Sequence, residues 1–149
     1  MVFFMKLAFI GGGVMAEALL KGVLAANLAE PNSISVGEPR QERRQFLSSQ
    51  YGVRTGQDNR EAATGADLVV LAIKPQDLPA VFQQLRGRLT PEQAALSIVA
   101  GAKMSTLTKG LEERLYVQQD ANFNVTAGAT TPGTMTVSCA NTYSGATNV

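Results

Sequence analysis

The amino-acid sequence predicts an α/β fold in which a doubly wound, mainly parallel sheet carries helices on both faces. Three observations predict it. An apolar segment runs into a glycine-rich turn and then a helical pattern within residues 7–27. Two continuous apolar runs, Leu68–Ile73 and Ala94–Ala100, are typical of strands buried on both faces. Strand and helix patterns alternate up to residue 112, which favours parallel strands joined by crossover helices.

The composition of the 149-residue chain is typical of one folded domain. Hydrophobic residues make up 45% of it, which suits a buried core. The formal net charge of +1 gives no electrostatic reason for binding nucleic acid or an anionic membrane. The single cysteine, Cys139, cannot form an internal disulfide, no cluster has metal-ligand spacing, and there is no histidine to act as general base. Chemistry therefore falls to a cofactor, or to carboxylates, lysines and hydroxyls.

The first half of the chain is predicted to form three strands and two helices. The strands are Lys6–Ile10, Ser33–Val36 and Gly52–Arg54, and the helices are Val14–Asn27 and Gln41–Gln50. The first helix carries apolar residues at helical spacing on one face: Met15, Leu19, Val23 and Ala26. The second helix is charged, and we expect it to turn Phe46 and Leu47 inward.

The second half continues the alternation and then changes character. We expect helices at Asn59–Ala66 and Asp77–Leu85, and a third that begins at an N-cap on Ser105 and ends near Glu112. The two apolar runs named above supply the strands between them. No charged residue occurs from Ala121 to Val149, and only Thr134–Ser138 alternates like a strand. The sequence thus predicts a domain at residues 1–112 and an atypical polar tail, irregular or β-rich, at residues 113–149.

The turn after the first strand has the pattern Gly-x-Gly-x-x-Ala at residues 11–16. In a dinucleotide-binding turn, Gly11 lets the chain leave the strand sharply and Gly13 lets a pyrophosphate approach the backbone. Ala16 allows the helix to pack closely on the sheet. The N-terminus of that helix presents N–H groups and a positive dipole to the phosphates. The turn therefore predicts a dinucleotide site.

An acidic and basic cluster follows the second strand. Glu38 stands where an acidic residue in such folds bonds the adenosine ribose hydroxyls. Arg40 lies in the same loop, and a guanidinium suits a ribose 2′-phosphate. We interpret Arg43 and Arg44 as the solvated face of the following helix. Both preferences stay open at this point: NAD through Glu38, or NADP through Arg40.

Five further residues are candidates, four of them at the carboxyl ends of the fourth and fifth strands and one at the start of a short helix. Lys74 and Pro75 end the fourth strand, where ligands of open α/β sheets bind, although proline also suits a first helical position. Asn59 either caps a short helix or reaches the cofactor, or does both. Ala100-Gly101 closes the fifth strand, and the glycine serves either a nicotinamide's approach or ordinary packing.

Taken in order, these motifs resemble those of the pyrroline-5-carboxylate reductase family, which makes proline from its cyclic imine. The matching segments are Ile-Gly-Gly-Gly-Val-Met-Ala-Glu-Ala from residue 10, Glu-Pro-Arg from residue 38, Asn59, Ala-Ile-Lys-Pro-Gln from residue 72, and Ser-Ile-Val-Ala-Gly from residue 97 with Thr-Leu-Thr-Lys-Gly-Leu after it. The resemblance covers residues 5–112 and implies an NAD(P)-binding Rossmann-type sheet.

The resemblance implies a cofactor site with NADP, or NAD, as the hydride donor. The pyrophosphate cradle would be Gly11, Gly12, Gly13, Val14 and Met15. Arg40 would lie by the adenosine ribose or its phosphate, and Asn59 near that ribose. The nicotinamide side would comprise Ala72, Lys74 and Pro75, with Ala100 and Gly101 nearby. No catalytic residue is assigned, because a protonated imine is already an electrophile and needs mainly alignment and exclusion of water.

Two departures from the family shape our expectations. The segment Met-Pro-Asn-Thr-Pro-Ala and the family's C-terminal helical domain do not occur in this sequence. We therefore expect cofactor binding with incomplete turnover, and a tail that packs on the sheet edge or on another copy in a homo-oligomer. The N-terminus lacks the pattern of a signal peptide, which favours a cytoplasmic location.

Two other functions remain open. One is a related 3-hydroxyacid-type dehydrogenase, although its second glycine-rich element and catalytic lysine are not evident in this sequence. The other is a nucleotide-binding or sensing module that keeps the fold without turnover. Fold alone decides neither.

Overall fold

The computed structural model describes residues 5–111, together with the backbone of residues 117–119, 129–131 and 134–135. The strands are β1 (Leu7–Ile10), β2 (Ile34–Gly37), β3 (Arg54–Gly56), β4 (Leu68–Leu71), β5 (Ala94–Ser97), β6 (Val117–Gln119), β7 (Ala129–Thr131) and β8 (Thr134–Met135). The helices are α1 (Val14–Ala25), α2 (Gln41–Tyr51), α3 (Asn59–Ala63), α4 (Leu78–Leu85) and α5 (Met104–Leu111). Short 3₁₀ turns lie at Pro31–Ser33 and Pro75–Asp77.

Six strands form one parallel sheet in the order β3-β2-β1-β4-β5-β6. The chain starts at the centre with β1, winds outward through β2 and β3, and then returns to place β4 on the other side of β1. The carboxyl ends of β1 and β4 therefore lie side by side at the point where the winding direction reverses. In open α/β sheets this point is where ligands bind. The predicted doubly wound, Rossmann-type fold is confirmed.

The core consists of two apolar layers, one on each face of the sheet. Alternate residues of β1 point to opposite layers, since Phe9 packs with residues of α1 and α2 while Ile10 packs with residues of α3, α4 and α5. All four residues of β1 and all four of β4 are buried. Burial on both faces is the physical reason that these central strands read as unbroken apolar runs.

Two helices bury only part of the face that was predicted. Leu19 and Val23 of α1 are partly buried against the core and Leu47 of α2 is fully buried, as expected, whereas Met15, Ala26 and Phe46 are exposed. In α1 the buried residues are Ala16 and Leu20, whereas Met15 is 63% exposed. Because the small Ala16 faces the sheet, the preceding residue is rotated by about 100° toward the open edge. In α2 only Leu47 is buried, and Phe46 lies at the surface, where the Arg43 guanidinium covers its ring at 5.1 Å.

Several predicted boundaries were wrong by a few residues. The strands β4 and β5 end at Leu71 and Ser97, before their apolar runs end, because pairing with the neighbouring strands stops there. The helix α3 ends at Ala63, two residues before Gly65 takes a φ of +74°. Ser105 lies inside α5, which begins at Met104, so it is not the N-cap.

Little of the predicted tail falls on described residues. The strand predicted at Thr134–Ser138 is described only at β8, which pairs antiparallel with β7. The rest of that strand, and the proposed packing of the tail, lie outside the described residues. No helix in the described part of the chain has the length and hydropathy that crossing a bilayer requires. The described residues also hold no cluster of three potential metal-binding side chains.

Candidate functional site

Gly11 is required by the fold at the point where β1 ends. Its φ is +99°, and a Cβ there would overlap the carbonyl oxygen of Ala72 and lie 3.0 Å from Cγ2 of Ile73. Its N–H donates to the Gly37 carbonyl oxygen at 2.8 Å. The first glycine of the turn therefore allows the sharp exit from the strand and close packing beside the end of β4.

Gly12 is enclosed by protein on several sides. Its N–H donates to Oε2 of Glu38 at 2.9 Å, and a Cβ would lie 2.8 Å from Cδ1 of Leu47. Its carbonyl oxygen accepts from Nε of Arg43 at 2.5 Å. Both backbone polar groups of Gly12 are thus satisfied by charged side chains, which leaves its N–H unavailable to a ligand in this conformation.

Gly13 differs from both neighbours because nothing in the protein requires a glycine there. Its φ of −77° and ψ of −167° are open to any residue. No protein atom outside its chain neighbours lies within 4 Å of where a Cβ would stand. The absence of a side chain at Gly13 therefore leaves open space in which a ligand can approach the backbone.

The same open space faces the start of α1. Gly13 is the N-cap of this helix, and no side chain caps the first turn. The first N–H groups of a helix have no intrahelical acceptor, and they stand at the positive end of its dipole. Two apolar side chains follow at the surface, Val14 at 79% and Met15 at 63% exposure. The geometry suits a bound phosphate, with apolar contact beside it.

Glu38 is buried at the end of β2 and is 4% exposed. Its Oε1 accepts from the backbone N–H and the Nε of Arg40, at 3.1 and 2.8 Å. Burial alone raises the pKa of the Glu38 carboxyl, but the hydrogen bonds from Arg40 and Gly12 outweigh burial and hold that pKa below its ordinary value of 4.5. Glu38 is therefore ionised at neutral pH and links the glycine turn to the loop that carries Arg40.

Arg40 is held at one end and open at the other. Its side chain is 67% exposed, and the hydrogen bonds that the structure gives to this side chain go through Nε to Glu38. The outer part of the guanidinium thus faces solvent at the edge where the strands end.

The interpretation of Arg43 and Arg44 as a solvated helix face was wrong. Arg43 is largely buried, and it bonds the carbonyl oxygens of Gly12 and Gly13 and Oε2 of Glu17. Arg44 donates from Nη1 to the carbonyl oxygens of Glu38 and Pro39 at 2.8 and 2.7 Å. Because α2 starts beside the turn, both side chains reach back to backbone acceptors instead of extending into water.

Asn59 does not cap α3. The cap is Asp58, whose carboxylate accepts from the Arg60 N–H at 2.9 Å. The Asn59 side chain donates from Nδ2 to Oε1 of Gln84 at 2.6 Å, and a Cβ on Gly37 would overlap its Oδ1. Asn59 is therefore packed against the last residue of β2, close to Glu38.

The remaining candidates lie beyond the carboxyl ends of β4 and β5. Ala72 touches the turn through its contact with Gly11, whereas the exposed Lys74 follows two residues later and Pro75 begins a 3₁₀ turn as its position predicts. Ala100 and Gly101 are exposed. Gly101 has a φ of +71°, so backbone conformation by itself explains the glycine. Parallel topology places these residues at the same edge of the sheet as the turn.

Sequence reasoning missed the residues that hold the turn from behind, chiefly Arg43, Leu47 and Glu17. Each of these residues contacts a partner that is more than twenty positions away in the sequence. The residues next to it in the sequence give no indication of such a partner. Leu47 was expected to face inward, but its place against Gly12 depends on where α2 lies on the sheet.

Comparisons with known proteins agree with the fold. The family model described as "NADP oxidoreductase coenzyme F420-dependent" matches residues 6–101. A pyrroline-5-carboxylate reductase from Synechocystis sp. is 39% identical over 124 residues, which cover 83% of this chain and 46% of that protein. This relative bears out the resemblance seen in the sequence.

Solved structures give the same picture. A pyrroline-5-carboxylate reductase from Coxiella burnetii superposes with a TM-score of 0.73 and 31% identity, covering 78% of this chain and 43% of that one. A Plasmodium falciparum pyrroline carboxylate reductase with NADP bound shares the fold, with a TM-score of 0.66 and 23% identity over 77% of this chain and 41% of that one. The chain spans less than half the length of each of these relatives. With the family match covering residues 6–101, the chain belongs to the NADP oxidoreductase, coenzyme F420-dependent family.

Proposed function

We propose that the described part of the chain binds NADP(H), or NAD(H), across the carboxyl edge of its sheet. The observation that carries this proposal is Gly13, a glycine with an ordinary φ and empty space where its Cβ would stand, at the N-terminus of α1. Neither the backbone conformation nor the packing requires a glycine at this position. The absence of a side chain therefore fits a ligand that approaches the backbone. The proposal includes the division into a nucleotide-binding domain at residues 1–112 and a tail at residues 113–149, of which β6 pairs with β5 as the last strand of the domain's sheet.

In this proposal the pyrophosphate lies against the N–H groups of Gly13, Val14 and Met15. Gly11 and Gly12 shape the turn rather than donate to the phosphates, because their N–H groups already bond Gly37 and Glu38. The adenosine ribose lies near Glu38, Arg40 and Asn59. Glu38 and Arg40 follow β2 in the chain, and Asn59 packs against the last residue of that strand. The nicotinamide side comprises Ala72, Lys74 and Pro75, with Ala100 and Gly101 after the next strand.

We further propose that the whole protein is a pyrroline-5-carboxylate reductase, as its relatives are named. Bound NADPH would supply a hydride to the carbon of the protonated imine, and the C=N π electrons would become the lone pair of the neutral ring nitrogen. The residues of this chain bind and orient the dinucleotide. The chemistry asks for no general base, which fits a sequence without histidine.

The reductase proposal predicts a separation of binding from turnover. The 149-residue chain should bind NADPH, whereas its oxidation of NADPH with pyrroline-5-carboxylate should be far slower than that of a full-length relative such as the Coxiella burnetii enzyme. The measurements are calorimetric titration and the loss of NADPH absorbance. Turnover near that of the relative would remove the claim of an incomplete site, and absence of NADPH and NADH binding would remove the proposed function. Binding with no turnover in any longer form of the protein would favour the nucleotide-sensing alternative.

Arg40 should decide between the two dinucleotides. Its exposed guanidinium can pair with a 2′-phosphate, and a hydrogen bond to a charged group contributes about 1.5–3 kcal/mol. Arg40→Ala should therefore weaken NADPH by about 10- to 100-fold and NADH by about twofold or less. Titration of both nucleotides measures this difference.

Arg60 offers a matched control for that experiment. Like Arg40, it is exposed and paired through Nε with an acidic residue two positions earlier, here Asp58. Arg60→Ala should leave both affinities unchanged. An equal loss for NADPH and NADH in the Arg40 variant, or no loss, would show that Glu38 sets a preference for NAD.

The homo-oligomeric state and the cytoplasmic location remain predictions of the same proposal.

A further inference from the structure

We infer that Arg43 is a positioning residue for the glycine turn: by holding the carbonyl groups of Gly12 and Gly13, it aims the N–H groups of Gly13 and Val14 at the bound pyrophosphate. This inference rests on the proposed function and assigns the residue that preorganises its phosphate site. The sequence suggested no such role, because Arg43 lies 31 positions from Gly12.

The contacts of the Arg43 guanidinium are with the back of the turn. Nε donates to the Gly12 carbonyl oxygen at 2.5 Å, and Nη2 donates to the Gly13 carbonyl oxygen at 3.2 Å. In a trans peptide the C=O and the next N–H point in opposite directions. Holding the Gly12 carbonyl therefore directs the Gly13 N–H away from α2, toward the open space in front of the turn. The Gly13 carbonyl oxygen also accepts from the Glu17 N–H at 3.0 Å, the first hydrogen bond of α1, so Arg43 and the helix together direct the Val14 N–H to the same side.

Other side chains fix the guanidinium in this place. Nη2 also donates to Oε2 of Glu17 at 2.5 Å, and the Tyr51 hydroxyl donates to the other oxygen of that carboxylate at 2.5 Å. The hydrogen bonds from Tyr51 and Arg43 hold the pKa of Glu17 below 4.5, so its negative charge persists at neutral pH. The guanidinium also lies 5.1 Å from the centre of the Phe46 ring. Its planar fork bonds two carbonyls and one carboxylate, which a lysine ammonium cannot match in geometry.

These contacts separate Arg43 from a residue that binds phosphate directly. Its side chain is 20% exposed, and the acceptors around it belong to the protein. Arg40, in contrast, projects into solvent beside the predicted ribose. A positioning role at the pyrophosphate affects NADPH and NADH alike, since both carry that group. A contact with the 2′-phosphate affects only NADPH.

The test is calorimetric titration of the chain with NADPH and with NADH. Arg43→Met should weaken both nucleotides by a similar factor, about 10- to 100-fold, through loss of the charged hydrogen bonds that hold the turn. Arg54→Met is the matched control, because Arg54 is exposed at the start of β3, at the opposite edge of the sheet. It removes the same charge. It should change neither affinity by more than about twofold, because exposed charges contribute little to the free energy.

Thermal melting shows whether the Arg43→Met variant folds. If it does not fold, Arg43→Lys, which keeps the positive charge, takes its place in the titration. It should lose about tenfold for both nucleotides, because one ammonium replaces a fork of donors. Wild-type affinity in Arg43→Lys, or a loss confined to NADPH, would overturn the inference while leaving the proposed function intact. If the wild-type chain binds neither nucleotide, the proposed function and the inference both fall.

A second readout needs no ligand. In the free protein, the backbone amide resonances of Gly13 and Val14 should shift in both Arg43 variants and stay unchanged in Arg54→Met. Unmoved resonances in folded Arg43 variants would contradict the claim that the side chain sets the turn.

Discussion

Gly13→Val is expected to reduce the affinity for NADPH and NADH by about 100-fold or more, with little change in stability. The valine side chain fills the space in front of the turn, and it prevents the approach of a pyrophosphate to the N–H groups there. Two hydrogen bonds to a charged group, at about 1.5 kcal/mol each, account for a loss of this size. Because no protein atom lies within 4 Å of the new Cβ, the free energy of unfolding should fall by only about 1 kcal/mol, as expected at an N-cap.

Gly22→Val is the matched control for the valine substitution. Gly22 lies in the same helix, α1, and its Cβ would also meet nothing within 4 Å. It is two helical turns from the phosphate site, so both affinities should stay at the wild-type value. Titration of both variants, with thermal melting, separates the two outcomes. Wild-type affinity in Gly13→Val would show that the pyrophosphate does not lie against this turn.

Gly11→Ala is expected to destabilise the fold itself, by about 3 kcal/mol or more. The new Cβ would overlap the carbonyl oxygen of Ala72, and the φ of +99° is one that a side chain rarely adopts. Backbone strain and overpacking therefore add at one position. For a domain of about this size, the loss corresponds to a fall in melting temperature of roughly 10 °C or more. Chemical unfolding followed by circular dichroism measures the free energy directly.

Gly65→Ala distinguishes the two causes. Gly65 has a φ of +74°, but a Cβ there meets nothing within 4 Å, so only the backbone strain remains. Its cost should be about 1 kcal/mol, well below that of the Gly11 variant. Equal costs at both positions would mean that the contact with Ala72 does not contribute, and that β4 can move away from the turn.

The fold could be predicted well from the sequence because its signals are local. An apolar run buried on both faces identifies a central strand, and β1 and β4 are buried along their whole length. Element ends were less accurate. Ala72 and Ile73 are as apolar as the residues before them, and only the end of pairing with β1 stops the strand at Leu71.

The candidate site was predictable where the chain itself dictates geometry. The order of strand, glycine turn and helix indicates the roles of Gly11 and Ala16, since a sharp exit and a close approach depend on side-chain size at a single position. The sequence could not indicate that the Gly12 N–H is already engaged, because its acceptor Glu38 lies 26 positions away. Arg43 was misread for the same reason.

By itself, the sequence determined the class of fold, the edge of the sheet at which we propose that a ligand binds, and the turn at that edge. Hydrophobic periodicity, apolar runs and glycine spacing are read from residues that are close together in the sequence. They therefore do not depend on which distant parts of the chain come into contact. Only the tertiary structure decided which N–H groups of the turn stay open and which side chains hold it. Those outcomes depend on where α2 and the end of β2 lie against α1, and hydrogen bonds such as those from Arg43 to Gly12 and Gly13 exist only once these elements have packed.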